Sequence, residues 1–322
     1  MSCDVGRAMD STEFVEVGLV NNMPDSAFDA TERQFRKLLA EALPGAEIRL
    51  RLLFLPGVPR SDWGIAQMAW RYASVEQMWD STPDALIITG TEPRAADLRD
   101  EPYWGSFARL IDWAEDNAVP AVLSCLAAHA AVLHIDGVPR RRLAVKRFGV
   151  FAHEKAEADP LTDGLGSPVR IPHSRWNDVP DQLLGTRGWR VLTRSADGNV
   201  DMFTKRRRGL LLCLQGHPEY EPETLGREYR RDIRRYLQGT RDTYPDAPEG
   251  YFDPRTHDLL VAFRDHACAH RREETLAAFP EAILARPVES PWCADARIVF
   301  RNWLSQVCAA KLTRRPASRQ YA

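Results

Sequence analysis

The chain has 322 residues, of which 44% are hydrophobic and 27% are charged, a composition that suits one large globular α/β domain or two domains of ordinary size. Its formal net charge of −2 gives no electrostatic reason to expect nucleic acid or a membrane surface as a partner. The six cysteines contain no C-x-x-C pair, and the first residues lack the apolar core of a signal peptide. We therefore expect free thiols and a cytoplasmic protein.

The first half of the chain alternates strand patterns with helix patterns. Apolar residues predict strands, and apolar positions spaced three or four apart predict helices. In chain order, these are a strand at 15–20, a helix at Asp29–Ala42, strands at 47–55 and 85–90, a helix at Trp104–Asn117, a strand at 121–124 and a helix at Leu126–His134. This alternation predicts an α/β fold with an open, mostly parallel sheet flanked by helices.

After Gly137 the sequence changes to short strands separated by turns. The strand-like stretches are RLAVKRFGVFAHE, WRVLTRSA, VDMFTKR and GLLLCLQGH, and the helices are predicted at Glu223–Leu237, Asp258–His270 and Ala294–Cys308. The basic run Lys205–Arg208 falls between two strand-like stretches, which indicates a solvated hairpin tip. We predict a flexible N-terminus (1–14), a catalytic α/β domain (15–239), a helical C-terminal extension packing on it (240–310) and a flexible tail (311–322).

One cysteine lies where a predicted strand gives way to a predicted helix, in AVPAVLSCLAAHAAVLHI (118–135). The proline and two histidines of this stretch argue against a membrane span. A turn of this kind exposes the Cys125 sulfur, places it at a helix N-terminus and leaves the next backbone N–H free to bind an oxyanion. Ser124 takes the place of the glycine that usually precedes such a nucleophile, and Ala127 and Ala128 allow close helix packing. A buried, inert cysteine is the alternative.

A cysteine nucleophile needs an imidazole to accept its proton and a carboxylate to orient that imidazole. LLLCLQGHPEY (210–220) supplies both, because His217 and Glu219 follow an apolar strand on either side of a proline. His129 is a second candidate base, but its position one turn into the helix after Cys125 favours packing in the core. We therefore predict Cys125, His217 and Glu219 as the catalytic residues.

With the cysteine turn and the Gly-His-Pro-Glu-Tyr motif, the sequence resembles the homoserine O-acyltransferase (homoserine O-succinyltransferase) family, which has a class I glutamine amidotransferase-like fold. The resemblance covers roughly residues 15 to 238 and returns near 292 to 308. It is carried by short motifs in order: Asn21 with Met23-Pro24, Thr31-Glu32 with Gln34-Phe35, Ile88-Thr89-Gly90, Tyr103-Trp104, Cys125, Gly149-Val150, Pro172-His173-Ser174-Arg175, Gly216-His217-Pro218-Glu219-Tyr220, Arg231-Asp232 and Asn302-Trp303-Leu304.

The resemblance implies acyl transfer from an acyl-CoA to homoserine in methionine biosynthesis, by a ping-pong mechanism through an acyl-enzyme on Cys125. It further implies an oxyanion hole formed by the backbone N–H groups of Leu126 and Thr91. The acyl-CoA is a co-substrate, and we expect no bound cofactor, no metal and no nucleic-acid or membrane partner. We also expect a homodimer. The substrate residues that the family's motifs imply are Lys146, Ser174 and Arg231.

In this family the acyl donor correlates with one position shortly after the third predicted strand (85–90). Glycine at that position goes with succinyl donors, and glutamate goes with acetyl donors. Counting without gaps, this position is Arg94, whose charge could hold a distal carboxylate. We therefore favour succinyl-CoA. Acetyl-CoA as donor, serine as acceptor, a glutaminase-like Cys-His-Glu hydrolase and a non-catalytic binding protein of the same fold stay open as alternatives.

Overall fold

A computed structural model describes residues 14–284 and 289–314 of the chain. The strands are β1 (Phe14–Val20), β2 (Glu47–Phe54), β3 (Ala73–Ser74), β4 (Ala85–Ile88), β5 (Ala121–Ser124), β6 (Arg141–Lys155), β7 (Val169–Asp178), β8 (Arg190–Val191), β9 (Thr193–Arg194), β10 (Met202–Arg206) and β11 (Leu210–Leu214). The helices are α1 (Phe28–Ala42), α2 (Asp62–Arg71), α3 (Trp104–Asp116), α4 (Leu126–Asp136), α5 (Asp181–Thr186), α6 (Thr224–Leu237), α7 (Pro254–Ala269) and α8 (Trp292–Arg314).

The main sheet has eight strands in the order β3-β2-β1-β4-β5-β11-β10-β8. The first six strands are parallel, and β10 joins β11 in an antiparallel hairpin. The predicted parallel sheet is therefore confirmed. The basic run Lys205–Arg208 forms the end of that hairpin, with its three arginines exposed as expected for a solvated tip.

Helices cover both faces of the main sheet, as a buried parallel sheet requires. One core lies between the sheet and helices α1 and α8, with Phe35 and Trp303 at its centre. The other lies between the opposite face and helices α3 and α4, with Phe107 and Ala131 among its buried residues. The apolar face predicted for the first helix is thus the face that packs on the sheet.

The second half of the chain adds a three-stranded sheet, β7-β6-β9, and a third hydrophobic cluster around α6 and α7. Glu249 bridges this region to β6, because its backbone exchanges hydrogen bonds with Phe148 and Val150. Trp292 closes the cluster by donating its indole N–H to the backbone oxygen of Tyr220 (2.8 Å). Residues of 240–284 therefore pack on α6. The division into a catalytic domain and a 240–310 extension stays a prediction.

Several elements differ from the sequence-based expectation. Helix α2 was missed because it leaves Trp63 and Trp70 largely exposed and so shows no apolar stripe. Strand β7 was missed because Pro172 interrupts its pattern. Helix α7 begins four residues early, at a proline after the capping Asp253. Helix α8 runs to Arg314, past the predicted start of the tail.

Of the two predicted flexible ends, residues 1–13 and 315–322 lie outside the described residues. Among the helices described, none is long and apolar enough to cross a membrane.

Candidate active site

The predicted catalytic residues meet at the carboxyl ends of three neighbouring strands. Cys125 directly follows β5, Gly90 lies just after β4, and His217 lies just after β11. The strands β4, β5 and β11 are adjacent and parallel, so the loops that follow them converge at one edge of the sheet. The sheet topology thus brings together residues that are far apart in the sequence.

Cys125 occupies a sharp turn between β5 and α4. Its backbone has φ 53° and ψ −113°, a conformation that non-glycine residues rarely adopt and that costs on the order of 1–3 kcal/mol. A hydrogen bond from the Cys125 N–H to the backbone oxygen of Leu214 (2.7 Å) holds the turn in place. Ala127 and Ala128 are buried and let the first turn of α4 pack closely. This is the predicted nucleophile elbow, formed without a preceding glycine.

The loop after β4 packs directly against the backbone of Leu126. A Cβ at Gly90 would lie 2.9 Å from the Leu126 nitrogen and 2.8 Å from its Cβ, so only glycine allows this approach. The N–H groups of Leu126 and Thr91 have no acceptor within the part of the chain that the structure describes, and both residues line the cavity beside Cys125. Two unpaired donors next to the nucleophile suit a developing oxyanion.

His217 lies between Cys125 and Glu219. Its Nδ1 is 2.9 Å from Glu219 Oε1, and its ring stacks on Tyr220 with centroids 4.4 Å apart. His217 and Cys125 line the same cavity. Burial lowers the pKa of His217, but the neighbouring Glu219 and Cys125 outweigh it and raise the pKa well above its usual range. An imidazole held in this way can exchange a proton with the sulfur and keep its orientation.

Two backbone hydrogen bonds hold the loop that carries His217 in place. The N–H of Gly216 donates to Asp201 Oδ1 (2.5 Å), and the N–H of His217 donates to the backbone oxygen of Pro172 (2.8 Å). A Cβ at Gly216 would lie 2.5 Å from Ile171 and 2.8 Å from that same oxygen. The glycine before His217 is therefore required by close packing against β7.

His129 is held in the core, as the sequence predicted. Its Nε2 is 2.9 Å from Gln215 Oε1, and its pKa is lowered to about 3 by burial and by the nearby Arg175. His153 and His173 are likewise buried, and burial lowers the pKa of each. A histidine that stays neutral and engaged with an amide makes a poor partner for the Cys125 thiol.

A cavity of about 360 Å³ opens beside Cys125 and His217. Its lining includes all three predicted substrate residues: Lys146 from an irregular stretch of β6, Ser174 from β7 and Arg231 from α6. Its remaining charged residues are mostly arginines, so the cavity favours anionic ligands.

Two acidic residues of α6 connect the predicted substrate residues. Ser174 donates its hydroxyl to Glu228 Oε2 (2.5 Å), and Lys146 Nζ lies 3.2 Å from Asp232 Oδ2. Arg231 Nη2 lies 2.9 Å from Asp232 Oδ1 and 3.9 Å from Glu228 Oε2. The sequence analysis assigns no role to Glu228, although its spacing from Asp232 places both on one face of the helix.

Arg94 is exposed and does not line the cavity, although Thr91, Glu92 and Pro93 before it do. Its backbone N–H donates to Glu101 Oε1 (2.5 Å). Its effect on donor choice stays a prediction. Arg140, which the sequence did not single out, and Arg175, which it gave only as part of the Pro-His-Ser-Arg motif, do line the cavity. Across the described ranges, no group of three or more His, Cys, Asp or Glu side chains could hold a metal ion.

Comparison with known proteins gives consistent results. The model of the homoserine O-succinyltransferase family matches residues 5–313. The chain is 46% identical over 293 residues to a homoserine O-succinyltransferase of Methylorubrum extorquens, covering 91% of this chain and 87% of the relative. It is 45% identical to the enzymes of that name from Rhodopseudomonas palustris (90% and 87%) and Bradyrhizobium japonicum (92% and 91%). The match therefore also includes residues 240–290, which the sequence resemblance had left out.

Solved structures of similar shape share the predicted fold. A glutamine amidotransferase from Thermotoga maritima superposes with a TM-score of 0.50 at 13% identity, covering 92% of this chain and 99% of the other. A glutamine amidotransferase from Methylobacillus flagellatus gives 0.51 at 14% identity, covering 90% and 94%. At these identities the likeness shows the glutamine amidotransferase-like fold alone.

Proposed function

The chain belongs to the homoserine O-succinyltransferase family, a family of acyltransferases, and on that basis we propose that it transfers a succinyl group from succinyl-CoA to the hydroxyl of L-homoserine, a step of methionine biosynthesis. One observation carries this proposal: Cys125 occupies a strained turn and shares with His217 a cavity lined by cations. A nucleophile held in this way suits acyl transfer to and from sulfur.

In the first half-reaction the Cys125 sulfur attacks the thioester carbon, and the bond from that carbon to the sulfur of CoA breaks. His217 takes the thiol proton of Cys125 and returns it to the departing CoA sulfur. The backbone N–H groups of Leu126 and Thr91 stabilise the negative charge on the carbonyl oxygen. Because one thioester replaces another, this step is nearly balanced in energy.

In the second half-reaction the homoserine hydroxyl attacks the acyl-enzyme, and the Cys125 sulfur leaves as the new ester forms. His217 accepts the hydroxyl proton and returns it to the departing Cys125 sulfur, and Glu219 keeps the imidazole oriented and balances its charge. The site then returns to its starting state, so the whole reaction follows a ping-pong scheme.

The homoserine backbone fits the polar wall formed by β6, β7 and α6. We assign its carboxylate to Arg231 and Lys146, whose charges face the cavity, and its ammonium group to Glu228, which accepts a hydrogen bond from Ser174. Lys146 and Arg231 share Asp232, which fixes both cations in position.

Steady-state kinetics test the proposal. The purified protein should release CoA from succinyl-CoA only when L-homoserine is present at steady state, and double-reciprocal plots at several homoserine concentrations should be parallel. L-serine and acetyl-CoA measure the selectivity for acceptor and donor. Hydrolysis of glutamine without CoA release would instead support the hydrolase alternative, and a lack of thiol labelling at Cys125 would support a non-catalytic protein. The homodimer stays a prediction.

A further inference from the structure

Two arginines beside the catalytic cysteine have no acidic partner. Arg175 is buried, with 3% of its surface exposed; its Nε donates to His173 Nδ1 (3.2 Å) and its Nη1 to the backbone oxygen of Asn177 (2.7 Å). Arg140 is half-buried, and its Nη2 donates to the backbone oxygens of Ala95 and Ala96. Neither guanidinium forms an ion pair within residues 14–284 and 289–314.

Each of these guanidinium groups also keeps one buried nitrogen without a hydrogen-bond partner in the described part of the chain. The two nitrogens are Nη2 of Arg175 and Nη1 of Arg140. A buried cation that lacks a counter-charge and an acceptor costs several kcal/mol, so structures retain such groups mainly where a ligand completes them. Burial lowers the pKa of Arg175 to about 10 and also lowers that of Arg140. The carboxylates of Asp178 and Asp201 offset part of this effect at Arg175, and Tyr103 and Glu101 do so at Arg140, without forming an ion pair with either guanidinium.

Most other cations of the cavity differ in this respect. Lys146, Arg231 and Arg241 share Asp232, and Arg235 pairs with Glu92. Arg142 also lines the cavity and forms no ion pair in the described part of the chain, but it is exposed and its guanidinium lies 4.3 Å from the ring centroid of Trp176. The carboxylates nearer Arg140 and Arg175 are engaged elsewhere: Asp178 pairs with the exposed Arg141, and Glu101 accepts the backbone N–H groups of residues 94 and 95. The buried positive charge of the cavity that lacks an ion pair is thus concentrated at Arg140 and Arg175.

Arg140 and Arg175 line the same cavity as Cys125, Leu126 and His129. An acyl group bound to the Cys125 sulfur would therefore lie in the same cavity as both guanidinium groups. A succinyl group on the sulfur is short, and its terminal carboxylate lies roughly 4 Å from the thioester carbon because carbon–carbon bonds are about 1.5 Å long.

We propose that Arg140 and Arg175 form the subsite that binds the terminal carboxylate of the succinyl group during transfer. This inference rests on the proposed function. A carboxylate there gives each guanidinium an acceptor for its unpaired nitrogen and supplies the missing counter-charge. The backbone oxygens that hold Arg140 belong to residues 95 and 96, directly after Arg94, so a substitution at Arg94 reaches this subsite through the loop.

The test compares donors in two variants and a control. Arg140→Met and Arg175→Lys should each reduce kcat/KM for succinyl-CoA on the order of ten- to a hundredfold, the effect of losing one hydrogen bond to a charged group. Both should change kcat/KM for acetyl-CoA and butyryl-CoA, whose chains end in a methyl group, by less than about threefold. Arg109→Met removes the same charge from an exposed residue of α3 outside the cavity and should leave both donors unaffected.

A binding measurement gives a second readout. Free succinate, but not butyrate, should slow alkylation of Cys125 by iodoacetamide in the wild-type protein, and Arg140→Met should abolish this protection. If Arg175→Lys fails to fold, as judged by circular dichroism, Arg140→Met and this protection still decide the matter.

Equal losses for all three donors would overturn the subsite, because they would indicate a role in CoA binding or in the fold. Wild-type protein that uses acetyl-CoA as well as succinyl-CoA would also overturn it while leaving acyl transfer intact. Wild-type protein that uses no acyl-CoA would refute the proposed function itself, so the two failures are distinguishable.

Discussion

Replacing Gly90 with alanine tests the oxyanion hole directly. The added Cβ would lie 2.9 Å from the Leu126 nitrogen, 2.8 Å from its Cβ and 3.3 Å from its Cα, so the backbone of one loop must move. Because Leu126 supplies one of the two proposed N–H donors, this movement separates the donors. Loss of one such donor typically reduces kcat roughly a hundredfold or more. We expect a loss of this size in Gly90→Ala, with a much smaller change in KM for succinyl-CoA.

A matched control is available in α3, where a Cβ at Gly105 would meet no atom within 4 Å. Gly105→Ala should keep full activity and gain roughly 0.5–1 kcal/mol of stability, because alanine favours the helix. Both variants are measured for kcat and KM and for unfolding in urea. A folded Gly90→Ala protein with wild-type kcat would show that the close contact between these loops does not build the oxyanion hole.

Three further predictions concern the base, donor choice and acid stability. His217→Ala should lose both half-reactions, and Glu219→Ala should lose most of the rate with little change in KM for acyl-CoA. A greater loss of activity in His129→Ala would contradict this. Arg94→Glu should reduce kcat/KM for succinyl-CoA more than for acetyl-CoA, and equal losses would show that this position does not affect donor choice. Burial and Arg147 lower the pKa of His153 to about 4, so it stays neutral in the folded protein while the unfolded chain binds a proton below about pH 6.5. Its contribution to stability is complete above that pH and is lost as the pH falls. His153→Met should therefore flatten the fall in unfolding free energy between pH 6 and 4 by about 1 kcal/mol per pH unit in urea titrations, and an unchanged slope would refute this.

The candidate catalytic residues could be singled out in the sequence because their signals are local. Cys125 stands at a junction of two patterns, β-branched residues before it and alanines after it, and the turn between them follows from that junction. His217 and Glu219 lie within one loop, so their contact needs no knowledge of the remaining fold. The parallel sheet was predictable for the same reason, since each strand and helix carries its own periodicity.

The rest of the site depends on tertiary contacts that no short pattern contains. Whether an arginine is paired is decided by residues far away in the chain, and Arg140 and Arg175 differ from Arg231 only in what surrounds them. The role of Glu228 likewise emerges only when β7 brings Ser174 against α6. Helix α2 and strand β7 could not be predicted for a similar reason. Whether the tryptophans of α2 are buried, and whether β7 pairs with β6 despite its proline, is decided by packing against distant residues.

The acyl-enzyme on Cys125 is the central claim, and intact-mass spectrometry tests it most directly. Wild-type protein mixed with succinyl-CoA alone should gain the mass of one succinyl group and should lose it when L-homoserine is added. Cys213→Ala should behave in the same way, because that thiol is buried in β11 with its pKa raised by burial. Cys125→Ala should gain no mass and show no turnover. Persistence of the succinyl adduct in Cys125→Ala, or product formation by that variant, would contradict the mechanism.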